Sequence, residues 1–101
     1  MARHDVYPMP GRPDAGYVVD VQSNLLSDLT TRVVVPLLPE ADFPAAATGL
    51  NPIFEIAGQR HVLIAQSIAT VPRRELRDAV TSLKDAHDTI LAAIDFLLTG
   101  F

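Results

Sequence analysis

Cysteine is absent from the 101-residue chain. Without it the protein can have no disulfide framework, no thiolate nucleophile and no cysteine-ligated zinc site. Because small secreted domains usually carry disulfides, we expect a cytoplasmic protein. Long apolar stretches are absent too: no run approaches the roughly 18 residues of a membrane span. Residues 1–16 also lack the apolar segment of a secretion signal, so we expect neither a signal peptide nor a membrane anchor.

Basic charge is scarce as well. Eight Lys and Arg residues stand against twelve Asp and Glu residues, which gives a formal net charge of −4 at pH 7. Affinity for nucleic acid depends on neutralising phosphates, so we expect no direct nucleic-acid binding and a protein as the partner. Apolar residues make up 49% of the chain. This length and composition predict one ordered domain over residues 1–101, with a single core.

Motifs of common catalytic and cofactor sites are missing, including phosphate loops, dinucleotide fingerprints and HExxH zinc motifs. The histidines, His4, His61 and His87, fall on different predicted elements, and we interpret them as solvated surface residues. Asp85, His87 and Asp88 lack the i, i+4 spacing that pairs two ligands on one helix face. We therefore expect no catalytic residues, no metal and no cofactor.

Two apolar runs predict neighbouring strands. Residues 18–22 alternate with period two, which is typical of a half-buried strand, and Asp20 falls on its more polar face. Residues 32–38 are rich in β-branched side chains. Pro36 lies within this second run, and because proline cannot donate to a strand ladder, we predict an edge strand or a bulge there.

The second half of the chain predicts a hairpin and two helical segments. Residues 53–57 and 60–65 are short apolar runs separated by a turn at residues 58–59, which predicts a β-hairpin. Pro72 precedes a short helical pattern over residues 73–80. Arginines in that segment alternate with acidic residues, which favours a salt-bridged surface turn over a phosphate-binding site.

The last helix is the clearest element of the sequence. From Leu83 onward, apolar residues recur with the helical period at Ala86, Ile90, Ile94 and Leu97. Ser82 and Asp85 have the spacing of a capping arrangement, and Gly100 predicts the helix end. Strands first and a helix last predict a mainly β, α+β domain, with the helix packed on or beside an antiparallel sheet.

Apolar side chains also occur where polar ones are usual. Leu25 and Leu26 are adjacent in a polar loop and cannot both face one core, so we predict that at least one is exposed or lies at a dimer contact. Leu97, Leu98 and Phe101 lie in the C-terminal tail. They either complete the core or contact a partner. We favour core packing for the tail, with Phe101 as the better candidate for exposure.

Several of these segments carry a family resemblance. Residues 17–23, Tyr-Val-Val-Asp-Val-Gln-Ser, precede Leu25-Leu26 and residues 32–37, Arg-Val-Val-Val-Pro-Leu. This succession resembles the first-half signature of CcdB toxins. Val71-Pro72 ahead of the last helix, and an ending of Gly100 plus one apolar residue, are also similar to that family. The likeness spans essentially the whole chain.

The resemblance implies a fold and a function. The fold is an SH3-like or barrel-like antiparallel sheet with a C-terminal α-helix, shared with the MazF and Kid toxins and assembled as a homodimer. The function is that of a toxin of a type II toxin–antitoxin system, in plasmid maintenance or stress response. Such a toxin binds the A subunit of DNA gyrase, traps the cleaved gyrase–DNA complex without catalysis of its own, and is neutralised by a CcdA-type antitoxin.

By position, the resemblance assigns gyrase binding to Leu25, Leu26, Asp95, Leu98, Thr99, Gly100 and Phe101. Thr99 departs from the family ending, Trp-Gly-Ile, in which the tryptophan stacks on a gyrase arginine, an interaction worth about 0.5–2 kcal/mol. A differently shaped target, topoisomerase IV included, is compatible with this change. Two alternatives stay open: a CcdB-fold antitoxin-binding protein with weak or no poisoning, and a MazF-like endoribonuclease that uses Arg32 or the Arg73–Arg74 pair.

Overall fold

A computed structural model describes residues 2–43 and 46–100 of the chain. The strands are β1 (Asp5–Pro8), β2 (Tyr17–Asp20), β3 (Thr31–Pro39), β4 (Ile53–Ile56), β5 (Gln59–Leu63), β6 (Ala69–Pro72) and β7 (Thr81–Ser82), and the α-helix is α1 (His87–Thr99). Short 3₁₀ turns occupy the connections, at Pro13–Ala15, Asn24–Leu26, Glu40–Asp42, Ala65–Ser67, Arg73–Glu75 and Lys84–Ala86.

The strands form one antiparallel sheet. Its order is β4-β5-β3-β2-β1-β7, and β6 pairs with β3 outside this path. Every described pairing is antiparallel. The sheet curls into a nearly closed barrel with α1 at the C-terminal end of the chain, so the predicted α+β, mainly β class is confirmed.

The central strand is β3, so of the two predictions for Pro36, an edge strand or a bulge, the edge strand is wrong. One side of β3 pairs with β2. On the other side, residues 31–34 pair with β6 and residues 37–39 pair with β5. Pro36 lies between these two partners, where the missing N–H interrupts neither ladder. Its carbonyl oxygen still accepts the Ile64 N–H at 2.9 Å.

The predicted hairpin is present as β4 and β5, with its turn one residue earlier than expected. Ile56 pairs with Gln59, which leaves Ala57 and Gly58 as a two-residue turn. Both have positive φ, 52° and 79°. Positive φ at both central residues is the requirement of a type I′ turn, the connection that matches the twist of a tight hairpin.

The helix predicted over residues 73–80 is wrong beyond its first turn. Only Arg73–Glu75 forms a 3₁₀ turn, after which Leu76 adopts an extended conformation. Leu76 is buried against Tyr7 and its neighbours, and Asp78 has a positive φ of 55°. The burial of Leu76 on the sheet therefore outweighs the helical propensity of the residues that follow Glu75.

The strands β2 and β3 are buried on both faces. One face packs with α1 in the main core, formed by Val6, Val19, Val21, Val35, Leu37, Ile56, Leu63, Ala65, Ile90 and Ala93. The opposite face carries a smaller cluster of Tyr7, Val18, Val34 and Leu76. The prediction of a half-buried β2 is therefore wrong, because a second small core covers the face expected to be polar.

Asp20 lies on that second face and is fully buried with Arg32. The Arg32 Nε donates to Asp20 Oδ2 at 2.8 Å, and Nη2 lies 2.7 Å from the same oxygen. The Gln22 N–H donates to Asp20 Oδ1 at 3.0 Å. Burial raises the pKa of Asp20, whereas the Arg32 and Gln22 bonds favour its ionised form. The ion pair thus joins β2 to β3.

The C-terminal helix begins later than predicted and ends as predicted. A 3₁₀ turn, Lys84–Ala86, precedes α1, and the Ser82 hydroxyl accepts the Lys84 N–H at 3.2 Å. The N-cap of this turn is Leu83 and that of α1 is Ala86, and neither makes a side-chain cap bond, so the predicted capping arrangement of Ser82 and Asp85 is wrong. Gly100 ends α1 in the left-handed conformation, and its N–H donates to the Phe96 carbonyl at 2.9 Å. Among the residues described, no helix has the length and apolarity to cross a membrane.

Candidate partner-binding surfaces

Three exposed leucines lie in the connection between β2 and β3. Leu25, Leu26 and Leu29 are 94%, 50% and 49% exposed, and we call them the leucine loop. The sequence predicted that at least one of the first two is exposed, and both are. Large apolar side chains grouped on a surface are typical of protein contact sites.

Gln22 fixes the base of the leucine loop. Its side chain is buried, donates through Nε2 to the Leu26 carbonyl at 3.0 Å, and accepts the Val33 N–H through Oε1 at 3.1 Å. One amide group therefore connects the loop backbone to the start of β3. The loop presents its leucines from a fixed backbone, which lowers the entropic cost of binding.

The N-terminal segment holds the same loop from the other side. The Asn24 side chain accepts the Arg3 N–H through Oδ1 at 2.9 Å, and the Arg3 Nε donates to the Val21 carbonyl at 3.2 Å. The Ser23 hydroxyl accepts the Leu25 N–H at 3.2 Å and caps the 3₁₀ turn of the loop. These bonds join residues far apart in sequence.

The second group of predicted site residues lies at the C-terminal end of α1. Asp95, Leu98 and Thr99 share one exposed helix face because they are spaced i, i+3 and i+4, and Gly100 follows. We call these four residues the helix-end patch. Leu98 is 71% exposed, so the prediction that the tail packs into the core is wrong for this residue, while Leu97 is half-buried. Phe101 lies outside the described residues.

The Thr99 hydroxyl is occupied within its own helix. It donates to the Asp95 carbonyl oxygen at 2.7 Å. The hydroxyl is therefore engaged by α1 itself, and the side chain has no ring on which a partner could stack. The Asp95 carboxylate on the same face is exposed and supplies the charge of the helix-end patch.

The two surfaces connect to opposite ends of α1 within one chain. The leucine loop is bonded to Arg3, and the next residue, His4, contacts His87, the first residue of the helix. The helix-end patch begins at Asp95, about 12 Å further along the helix axis, and Thr99 lies about 18 Å from His87. Across residues 2–43 and 46–100, no hydrogen bond or ion pair joins one surface to the other.

The histidines are not the solvated residues that the sequence suggested. His4 is buried, and its Nε2 lies 2.7 Å from Nδ1 of His87. Burial lowers the pKa of His4, and the charges of Arg3 and His87 lower it further. His61 is also buried, with its ring edge-on to Tyr17 at a centroid distance of 5.1 Å.

The backbone of His4 anchors the N-terminal segment to both layers of the fold. Its N–H donates to the Asp20 carbonyl of β2, and its carbonyl accepts the Leu83 N–H at 2.8 Å. His4 has a positive φ of 72°, which is uncommon for a residue other than glycine. These contacts connect β2, the start of α1 and the segment that holds the leucine loop.

The residues proposed for ribonuclease chemistry differ in their access to a substrate. Arg32 is fully buried, and Asp20 binds its guanidinium, so it cannot reach a phosphate at the surface. Arg73 and Arg74 are exposed. The assignment of a catalytic role to Arg32 is therefore wrong.

The protein combines a nearly closed antiparallel barrel with one C-terminal helix. The model of the CcdB protein family matches residues 3–100. The chain belongs to the CcdB family. CcdB proteins are toxins of toxin–antitoxin systems, and the family is known as non-enzymatic. A comparison with curated protein sequences finds no match.

The CcdB match includes both groups of predicted site residues and stops one position before Phe101. Sequence reasoning identified the apolar residues of both groups but missed Leu29. The spacing Leu25, Leu26, Leu29 within a polar loop was the available signal, because a turn of 3₁₀ or α geometry places residues three and four apart on one side. It also missed His4 and Gln22, whose partners are distant in sequence.

Proposed function

We propose that this CcdB-family protein is a homodimeric toxin that binds the A subunit of DNA gyrase in the cytoplasm. It traps the cleaved gyrase–DNA complex and acts without catalysis of its own. A CcdA-type antitoxin neutralises it. The residues that contact gyrase are the leucine loop residues Leu25 and Leu26, the helix-end patch, and Phe101.

The exposure of Leu25 and Leu98 is the observation that supports this proposal most. Each side chain is more than two thirds exposed on a backbone fixed by hydrogen bonds or by a helix. Apolar side chains held in this way are suited to fill pockets on a partner, where a few anchors supply most of the binding energy. A toxin without chemistry of its own needs such complementarity to one conformation of its target.

A homodimer fits the separation of the two surfaces. One chain offers one leucine loop and one helix-end patch, which are connected to opposite ends of α1. By resemblance to the family, the two tails meet near the dimer axis, so a dimer presents two sets of contacts around one centre. A two-fold arrangement of contacts matches a two-fold target interface.

Thr99 favours a second candidate function. Its side chain bonds to its own helix and has no ring face, so stacking on a target arginine is lost. A CcdB-family protein that binds an antitoxin with weak or no gyrase poisoning is the alternative. This candidate predicts antitoxin binding with unchanged host growth.

Inducible expression in cells whose gyrase matches the source separates these candidates. The unaltered chain is compared with Thr99→Trp and with a version that lacks Gly100 and Phe101. We expect the unaltered chain to stop growth and to accumulate cleaved gyrase–DNA complexes, and the truncated chain to do neither. Growth arrest by Thr99→Trp alone supports the antitoxin-binding candidate instead.

A ribonuclease assay tests the remaining alternative. Purified protein is incubated with RNA in the absence of gyrase, and with Arg32→Lys and Arg74→Ala variants as controls. We expect no cleavage by any of them, since Arg32 is buried. Cleavage of RNA by the unaltered chain that disappears in Arg74→Ala would overturn the gyrase proposal, because gyrase is absent from the assay.

A further inference from the structure

A shallow depression lies beside the leucine loop. It is lined by Thr30, Arg73 and Arg74. Thr30 follows Leu29 directly, and the Leu29 N–H donates to the Leu26 carbonyl at 3.1 Å. The apolar side chains and the two guanidinium groups therefore belong to adjoining parts of one surface.

Arg73 is fixed against the loop that carries the leucines. Its Nη1 donates to the Ser27 carbonyl at 3.0 Å, and its backbone N–H donates to the Thr30 carbonyl at 2.8 Å. An arginine held in this way retains further N–H groups for a ligand. The orientation of this guanidinium is set before a partner arrives, as required for a preorganised site.

The lining of the depression contains donors and no carboxylate. Asp28 and Glu75 are close in sequence and exposed, but neither lines it. The ion pairs within residues 2–43 and 46–100 join Arg32 to Asp20 and Arg60 to Glu40, which leaves the guanidinium groups of the depression without a carboxylate partner in that part of the chain. The depression is therefore complementary to a carboxylate, which a guanidinium binds in bidentate geometry.

We propose that Leu29 and the Thr30–Arg73–Arg74 depression extend the leucine loop into one docking site for a protein surface that carries a carboxylate next to apolar side chains. The inference rests on the proposed function: the gyrase A subunit supplies that surface. Leu25, Leu26 and Leu29 take the apolar contacts, and Arg73 and Arg74 take the carboxylate. Arg74 is the specificity-determining residue, because Arg73 is partly engaged by the loop itself.

A protein carboxylate fits this site better than a nucleic-acid phosphate. Three leucines beside the depression would face the charged backbone of a nucleic acid, where apolar groups gain nothing. Glu75 and Asp78 alternate with the arginines, and the chain carries a net charge of −4, both of which oppose a polyanion. These charges repel a single carboxylate less than a polyanion, and the apolar neighbours of a carboxylate on a protein surface can pack against the leucines.

Binding of the full-length protein to source-matched gyrase A subunit tests the site. The variants are Arg74→Glu and Leu29→Ala, and Arg12→Glu is the matched control, since it makes the same charge change at an exposed arginine of another loop. Affinity is measured at low and high salt. We expect Arg74→Glu to weaken binding about tenfold at low salt and to flatten its salt dependence. Leu29→Ala weakens binding about tenfold at both salt concentrations.

Three other outcomes would overturn, respectively, the proposed function, the docking site and the assignment of a carboxylate as its ligand. If the unaltered chain does not bind the gyrase A subunit, the proposed function fails and this inference fails with it. If it binds and Arg74→Glu behaves like Arg12→Glu, the docking site alone is wrong. If Arg74→Glu instead abolishes binding to a short DNA duplex, the depression is a phosphate site and the carboxylate assignment is overturned.

Discussion

The Nε2 atom of His4 lies 2.7 Å from the Nδ1 atom of His87 and connects the N-terminal segment to the first residue of the C-terminal helix. One of the two nitrogens must carry a proton and the other must not, because two donors or two acceptors would repel at this distance. Among residues 2–43 and 46–100, the buried Nδ1 atom of His4 has no hydrogen-bond partner. A positive charge on His4 would therefore have no carboxylate bond to compensate it in that part of the chain.

Stability should fall on acidification in a range set by this pair. Burial lowers the pKa of His4 below its ordinary value of 6.5, so the unfolded chain takes up the proton more readily than the folded one. The free energy of unfolding contributed by neutral His4 is complete above about pH 6.5 and is lost as the pH falls through the lowered pKa. Urea unfolding at a series of pH values measures it, and His4→Gln should show a weaker dependence. An equal dependence in both proteins would contradict the assignment.

The Asp20–Arg32 pair should be far more sensitive to the loss of one partner than of both. Asp20→Ala leaves a buried guanidinium without its carboxylate, and we expect a loss of about 3–5 kcal/mol in the free energy of unfolding. The double variant Asp20→Val, Arg32→Met removes both charges and should be destabilised less. Equilibrium unfolding in urea compares the three proteins. A double variant as unstable as Asp20→Ala would mean that packing, not charge, dominates at this site.

The hairpin turn offers a stabilising substitution. Ala57 has a φ of 52°, a conformation that costs a residue with a Cβ about 1–2 kcal/mol. Ala57→Gly removes this cost, and Ala57→Asn reduces it, so both should raise the free energy of unfolding, by up to about 1 kcal/mol. Gly58→Ala, at the neighbouring position with φ of 79°, should lower it. Thermal unfolding of the set detects the opposite signs.

Substitutions at the exposed leucines should separate folding from partner binding. Leu25→Ser and Leu98→Ser remove solvated apolar groups, so we expect changes of about 0.5 kcal/mol or less in the free energy of unfolding. Under the proposed function both variants lose growth arrest and binding to the gyrase A subunit. Leu63→Ala, in the main core, should cost about 2–5 kcal/mol and serves as the contrasting control. Full toxicity in both serine variants would exclude these leucines from the target contact.

Local signals in the sequence predicted the elements whose form depends on nearby residues. The apolar period from Leu83 predicted the last helix, and Gly100 predicted its end, because a left-handed residue stops a helix without help from elsewhere. The hairpin around Gly58 was also predicted, because its turn depends on residues next to it in sequence. The helix predicted after Pro72 was wrong. Leu76 is buried in the small cluster on the sheet, and this burial outweighs the helical propensity of the segment.

The exposed leucines were predicted in part from the same kind of signal. Leu25 and Leu26 are adjacent, and two adjacent residues of a loop cannot share one buried face. Leu98 was expected in the core because its period continues that of Ile90 and Ile94, but it is exposed, as are Phe96 and Thr99 in the same last turn of α1. The length of helix that a sheet covers depends on how the layers pack together. The sequence of one strand or helix does not specify it.

The sequence by itself determined the α+β class, the family and the apolar character of the loop and tail, because composition, period and local motifs carry these properties. Only the tertiary structure decided that Asp20 and Arg32 are buried together, that His4 meets His87, and that Arg73 and Arg74 adjoin the leucine loop. Each of these pairings joins residues that are distant along the chain. Which distant residues meet depends on strand order and register, and these follow from the packing of the whole sheet.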